Sequence, residues 1–146
     1  MTLLDLDALK PWLGRTETKE DVLTPNLIDK FRATFGPHLW QGAGDVPLGI
    51  HWCLAHDAVS GSSLSKDGHP KRGGFLPPVP LPARMWAGGE LTNIKPLTIE
   101  RTVTRRSTIT DITPKQGRRG TLVFVVVQHE YLNGAASCIR ATQTLG

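Results

Sequence analysis

The sequence has 146 residues, the length of one domain and too short for two of ordinary size. Apolar residues make up 39% and charged residues 21%, a globular composition that excludes wholesale disorder. The net charge is only +4, and the excess gathers in two loops, Lys66–Arg72 and Lys115–Arg119. A nucleic-acid protein shows a stronger basic stripe interleaved with aromatics, so no nucleic-acid partner is expected.

In chain order, Met1-Thr-Leu-Leu-Asp-Leu-Asp carries acids where a secretory signal needs bases, which predicts a cytoplasmic protein. Leu3, Leu4, Leu6, Leu9 and Leu13 sit near helical spacing, interrupted by Pro11 and Gly14, and residues 1–20 read as a short amphipathic extension. A helix follows. Thr24 is placed to cap it, and Pro25 fits the first helical position, where a missing N–H costs nothing. Leu27, Ile28, Phe31 and Phe35 share one face, and Gly36-Pro37 ends the helix.

From Gly36 to Gly89 the density of glycine and proline forbids a long helix or a central strand. One apolar island, Ile50–Val59, suits a short helix or strand. Phe75, Leu76, Val79, Leu81, Met85 and Trp86 make the remainder too apolar for a solvated linker, so it should be ordered and packed over something. Beyond Gly89 the pattern is β. Glu90–Thr98 reads as a strand bent at Pro96, and Ile99–Ile112 as a second, with Ile99, Val103 and Ile109 on one face. Residues 113–120 read as a turn. Thr121–Leu132 opens with the longest apolar run, Leu122–Val127, which is far below the ~18 residues of a membrane span. It has the look of a strand buried on both faces. Asn133-Gly134 is a hairpin signal, and Ala135–Leu145 is the last strand of an antiparallel meander. Cys53 and Cys138 lie far apart with no C-x-x-C partner. They read as buried apolar thiols, and no metal site is expected.

The most distinctive stretch is Asp67-Gly-His-Pro-Lys-Arg-Gly-Gly-Phe-Leu-Pro-Pro-Val-Pro-Leu-Pro-Ala-Arg-Met-Trp-Ala-Gly-Gly-Glu90. Prolines fix φ and lower the entropy cost of an extended shape. The pairs Gly73-Gly74 and Gly88-Gly89 permit close backbone approach, beside Trp86. Arg72 and Arg84 bracket the ribbon with two forks suited to phosphate or carboxylate. A cover for the sheet edge is the structural alternative.

Other titratable pairs carry less. His56-Asp57 and His129-Glu130 are sequence neighbours, which point apart on a helix or strand. Asp67 and His69 suit a turn-stabilising hydrogen bond. Ser60, Ser62 and Ser63 lack a G-x-S-x-G elbow, and Gly42-x-Gly44 has no third glycine and no following helix.

From Gly14 to Ile139 the sequence resembles the N-terminal half of the type 2 hydroxyacyl-thioester dehydratases, which include mesaconyl-CoA hydratases of the MaoC-like hot-dog superfamily. The ribbon carries the resemblance, with support from Pro47-Leu-Gly-Ile-His-Trp52, Val103-Thr-Arg-Arg-Ser107 and Leu122-Val-Phe-Val125. The resemblance implies an α+β fold: a single hot-dog domain spanning 1–146, its antiparallel sheet of about five strands wrapped on a helix. The Gly/Pro density implies that this central helix is short or displaced. Family members carry two hot dogs in one longer polypeptide. The hydratase signature, Asp and His within G-D-x-N-P-x-H, belongs to the C-terminal half, and the N-terminal half shapes the acyl-thioester tunnel.

In this sequence Gly44-Asp45-Val46-Pro47-Leu48-Gly49-Ile50-His51 comes nearest to that signature. It lacks the Asn, its Pro sits one place early, and the step from Asp45 to His51 is one residue too long. Proton transfer needs hydrogen-bond geometry, so the slip removes the pair from reach, and no catalytic residue is expected here. His51 reads instead as a half-buried histidine beside Trp52.

The implied role is a component of an enoyl-thioester hydratase or 3-hydroxyacyl-thioester dehydratase, with acid–base residues supplied by a second hot dog as homodimer or heterodimer. The substrate is carried as a CoA or carrier-protein thioester and no further cofactor is implied. Arg72, Gly73, Gly74, Arg84, Trp86, Gly88 and Gly89 are the substrate-binding candidates, with Arg118-Arg119 as further phosphate contacts. Val123, Val125, Val127 and Tyr131, or the alternate set, should line tunnel or interface. A non-catalytic acyl-CoA-binding or regulatory hot dog is the alternative.

Overall fold

The computed structural model describes residues 4–146, so Leu3 of the expected extension lies outside the described residues. The elements are β1 (Thr16–Val22), α1 (Pro25–Phe35), β2 (Trp86–Asn93), β3 (Thr102–Gly117), β4 (Gly120–Asn133) and β5 (Ala136–Leu145), with short 3₁₀ turns between them. The strands form one antiparallel sheet in the order β1-β3-β4-β5-β2.

α1 forms as its sequence dictates. The Thr24 hydroxyl accepts from the Leu27 N–H at 3.1 Å, Pro25 occupies the first turn, and Gly36 ends the helix at φ +31°. Its apolar face buries Ile28 and Phe31 against Leu23, Val103, Tyr131 and Ile139. Fully burying such a side chain contributes about 1.5–3 kcal/mol.

The sheet departs from a simple meander. β3, β4 and β5 follow one another, but β2 crosses to the far side of β5. β2 also begins four residues earlier than expected, because Gly88 sits at a register shift inside the strand rather than ending it. The hairpin ladder of β3 and β4 runs out to Gly117 opposite Gly120, so the turn expected over 113–120 shrinks to Arg118-Arg119. Residues 16–20, read as part of an extension, belong to edge strand β1. Their run of alternating charge hides a strand whose inner face contributes Glu17 and Lys19 rather than apolar side chains. The island at Ile50 is a 3₁₀ turn, Ile50–Cys53. Cys53 is exposed on it, against the expectation of two buried thiols, while Cys138 is buried.

Two apolar clusters pack on the inner face. One joins α1, the Ile50 turn and the Tyr131 end of the sheet. The other lies at the hairpin end, where Val123, Val125 and Val127 of β4 meet Ile109 and Leu9. The ribbon covers this second cluster through Phe75, Leu76, Val79 and Leu81. The apolar run of β4 is not buried on both faces: 123, 125 and 127 are buried while 122, 124 and 126 are half-buried on the outer face.

Candidate functional site

Between the clusters the inner face turns polar. Glu17, Ser107 and His129 stand opposite one another across β1, β3 and β4, and Arg105 lies beside them, opposite Tyr131. Glu17 Oε1 accepts from Arg105 Nη2 at 2.9 Å. His129 Nε2 lies 3.1 Å from Gln143 Oε1, and its Nδ1 lies 2.7 Å from Ser107 Oγ. Gln143 Oε1 can only accept, so Nε2 carries the proton and Ser107 donates to Nδ1. Burial holds the His129 pKa below the ordinary histidine value, with the neighbouring Arg105 charge acting the same way against the Gln143 hydrogen bond.

His51 completes the group. Gly49, at φ +92°, opens the 3₁₀ turn that carries it. The His51 ring is fully buried, 4.5 Å from the Trp52 ring and edge-on to Tyr131 at 5.1 Å. Neither Nδ1 nor Nε2 has a hydrogen-bond partner, and Arg105 Nε is likewise unpartnered. Burial first, then the His129 field, lowers the His51 pKa to about 4, so the ring is neutral at pH 7. It was expected to be half-buried; the turn drives it fully inside.

Apart from the fully buried Ser107, these side chains line a cleft with two lobes. The first, about 820 Å³, runs past His51, Trp52, Leu54 and Tyr131 to β2. The second, about 690 Å³, lies between the ribbon and the sheet and includes Phe75, Leu76, Met85 and Val127. Both are lined by His69, Trp86, Arg105, His129 and Gln143, which therefore mark the waist where the lobes meet.

The ribbon is held by its own arginines. Arg72 Nη1 donates to the carbonyls of Val79 (2.7 Å) and Leu81, and Nη2 to that of Ala83 at 3.2 Å. Arg84 donates to Asp67 at 2.8 Å and to Ser65 and Pro70 at 3.3 Å each. Trp12 and Arg15 both donate to the Gly74 carbonyl. Asp67 also accepts from the Ser65 hydroxyl and the His69 N–H, which together hold its carboxyl far below the usual carboxylate range. The turn role expected of Asp67 and His69 is what the geometry shows.

Among the expected site residues, Arg72, Gly74, Arg84 and Trp86 line the second lobe, and Trp86 and Gly89 the first. Gly73 and Gly88 line neither. Gly73 makes a turn at φ +95°, its N–H donating to Leu76. Asp45 is exposed and outside both lobes, its carbonyl accepting from Arg32 at 2.9 Å, so the structure does not bring it into the cleft with His51. Arg118 and Arg119 are exposed at the hairpin tip. His56 reaches the first lobe, while Asp57 pairs with Lys19 at 2.9 Å. His129 and Glu130 do face opposite ways, Glu130 lying near Arg106 and Arg140. Sequence reasoning missed Glu17, Arg105, Ser107 and Gln143, and passed over His129. The available signal was a polar residue in phase with the buried Val123, Val125 and Val127.

Among the described residues, no three His, Cys, Asp or Glu side chains are placed to hold a metal ion, and no helix is long and apolar enough to cross a membrane.

A long antiparallel sheet curled on one short helix defines a hot-dog domain. Two solved structures share the fold. The MaoC-like dehydratase from Rhodospirillum rubrum aligns with a TM-score of 0.55 at 18% identity, covering 99% of this chain and 95% of that one. A chain of the ChsH1-ChsH2 complex from Mycobacterium tuberculosis aligns at 0.59 and 12%, covering 96% and 88%. Residues 49–146 match the family hydroxyacyl-thioester dehydratase type 2, and the chain belongs to that family. It is also 38% identical over 136 residues to the mesaconyl-C(4)-CoA hydratase of Chloroflexus aurantiacus. That alignment takes in 92% of this chain and 49% of the relative, so the chain spans about half the length of the curated protein it matches.

Proposed function

We propose that this chain is the acyl-binding component of a cytoplasmic enoyl-thioester hydratase or 3-hydroxyacyl-thioester dehydratase, corresponding to the N-terminal, non-catalytic half of the longer relatives. The observation that carries the reading is the two-lobed cleft between ribbon and sheet in a member of this family. Each lobe falls in the ~300–1,000 Å³ range of small-molecule sites. The apolar wall of the second lobe, formed by Phe75, Leu76, Met85 and Val127, suits an acyl chain, and Gly74, Trp86 and Gly89 along the cleft supply close backbone approach and a flat apolar wall. Arg72 and Arg84 act by holding the ribbon over that lobe. With their donors committed there, Lys71, which lines the second lobe, is the better cation for a CoA or carrier-protein phosphate.

The acid–base pair comes from a second hot dog. In hydration one water adds across the alkene while a proton reaches the neighbouring carbon, and both transfers need groups within hydrogen-bond reach. Asp45 lies outside the cleft and His51 is neutral with no carboxylate orienting it. The two sheet edges differ in a way that suggests where the second hot dog pairs. β1 is charged at alternate positions, a pattern that discourages pairing, while β2 opens on the exposed Trp86 and is followed by the exposed Ile94. The β2 edge is therefore the proposed junction, in a homodimer or a heterodimer.

The test follows the conjugated enoyl-thioester absorbance with crotonyl-CoA and mesaconyl-CoA. The purified chain should bind saturably without turnover, and turnover should appear when a catalytic hot-dog subunit is added. Turnover by the chain alone, abolished by His51→Ala, would overturn the reading. Binding that no second subunit converts to turnover would favour the regulatory acyl-CoA-binding alternative, which the exclusion of Asp45 from the cleft also supports.

A further inference from the structure

We infer that Trp52 and Trp86 form a stacking platform for a nucleobase, so that the first lobe takes the adenine end of an acyl-CoA and the cleft favours a CoA thioester over one carried on a phosphopantetheine arm alone. This deepens the acyl-thioester reading above and rests on it.

Both indoles are exposed, Trp52 at 61% and Trp86 at 68%, and both line the first lobe. Each is backed by its own element. The Trp86 ring lies over β2 at Gly89, where a Cβ would come within 3.3 Å of it. The Trp52 ring rests on its 3₁₀ turn, 4.5 Å from the His51 ring and 3.1 Å from where a Cβ on Gly49 would stand. A glycine beneath an indole lets the ring settle against backbone, which holds it in place while the rest of its surface stays open. Large apolar surface left open at the wall of a cavity marks a ligand site, and a flat π-face suits a planar ring. His56 and His69 add two further flat rings to the same wall.

Two features favour a nucleotide over a protein partner. The indoles share a concave lobe of about 820 Å³, the size of a small-molecule site. Trp86 also stands opposite Leu145 in register, and both line the second lobe, so the Trp86 ring belongs to the cleft, whereas pairing along β2 would use the strand's backbone. Charge then sets the orientation. Glu90 is the one carboxylate among the described residues that line the first lobe. It only accepts hydrogen bonds, which suits the exocyclic amine of adenine and repels phosphate. Lys71 lies on the other side of the waist, two residues past His69. An acyl-CoA laid this way puts its adenine in the first lobe with Glu90 and the indoles, its phosphates towards Lys71 and its acyl chain on the apolar wall of the second lobe.

The deciding experiment compares butyryl-CoA with butyryl-4′-phosphopantetheine by titration calorimetry. The two share acyl group, thioester and pantetheine arm and differ in the nucleotide, and neither is an enoyl thioester, so catalysis plays no part. The wild-type chain should bind butyryl-CoA at least about tenfold more tightly. In Trp52→Ala/Trp86→Ala the preference should shrink at least about fivefold, with thermal unfolding still cooperative. Trp52→Phe/Trp86→Phe, which keeps a flat ring at each place, should restore most of it. Equal wild-type affinities would overturn the nucleobase site and leave the acyl-thioester reading standing. A preference undiminished in the alanine variant would overturn the assignment to the two indoles, and a phenylalanine variant as weak as the alanine one would overturn stacking as the cause. Failure of both ligands to bind would overturn the acyl-thioester reading and this inference with it. The wild-type comparison decides the central point even if a variant does not fold.

Discussion

One sheet face is closed in two different ways. At the α1 end, Leu23, Ile28, Val103, Tyr131 and Ile139 come largely from regular elements and are each no more than 5% exposed. At the hairpin end the valines of β4 are equally buried, but their cover is a ribbon without helix or ladder, whose own Phe75, Leu76, Val79 and Leu81 stay half-buried. Interdigitated side chains close the first region and leave little slack. The second is braced by Arg72, which binds the ribbon's own carbonyls, and is tied to the N-terminal segment where Trp12 and Arg15 donate to the Gly74 carbonyl, and the second lobe remains beneath it. Packing fills space, whereas a backbone strap can span it.

The contrast can be tested by weakening each closure. The largest effect belongs to the packed end: Leu23→Ala or Ile28→Ala should cost about 2–5 kcal/mol in urea unfolding, because the cavity cannot collapse between α1 and the sheet. Next comes the seam. The His51 pKa of about 4 lies below the ordinary 6.5, so between those values the unfolded chain binds more protons than the folded one. Stability should be full above about pH 6.5, fall by about 2–3 kcal/mol as pH drops towards 4, and level off below it. His51→Leu should shrink that acid limb to the part His129 contributes; an unchanged profile would show that His51 is not a titrating group. Smallest in global terms is the strap. Arg72→Ala should cost about 1–2 kcal/mol and appear mainly as faster proteolysis between Gly73 and Ala83, with α1 still protected. Equal loss of protection in α1 would mean that the two closures are one cooperative unit.

The same division explains what could be read from the residues. α1 was legible because its signals are local: a capping threonine, a first-turn proline and a terminating glycine within one short segment. The β4–β5 hairpin was legible from Asn133-Gly134 for the same reason, Gly134 taking φ +58° between the strands. β1 escaped because an edge strand that faces charge inwards has no apolar period to show. The placement of β2 beside β5 escaped because strand order is decided by long-range pairing. At the site, the ribbon announced itself through composition, but the use of Arg72 and Arg84 to tie it did not, since an arginine reads alike whether it meets phosphate or a carbonyl. The polar waist was invisible for a further reason. Glu17, Arg105, His129 and Gln143 come from four different strands and meet only when the register is known.

That register contains one irregularity with a lasting effect. Between Ile109 and Asp111 the ladder skips Thr110, so that Ile109 faces Val127, Asp111 faces Val126 and Ile112 faces Val125. β3 thus has one residue more than its pairing uses, and the parity of its sequence flips midway. Odd positions point inwards before the skip, as at Arg105 and Ser107, and even ones after it, as at Ile112. A bulge also bends a strand and adds twist. This one falls where the polar waist gives way to the ribbon-covered cluster. The surplus residue is therefore a built-in joint: it lets the stretch that carries the polar waist and the stretch that lies under the ribbon obey different alternations. Losing Thr110 would straighten the strand without turning a single paired side chain to the wrong face, so the curvature of this arm can vary in evolution separately from its inner surface.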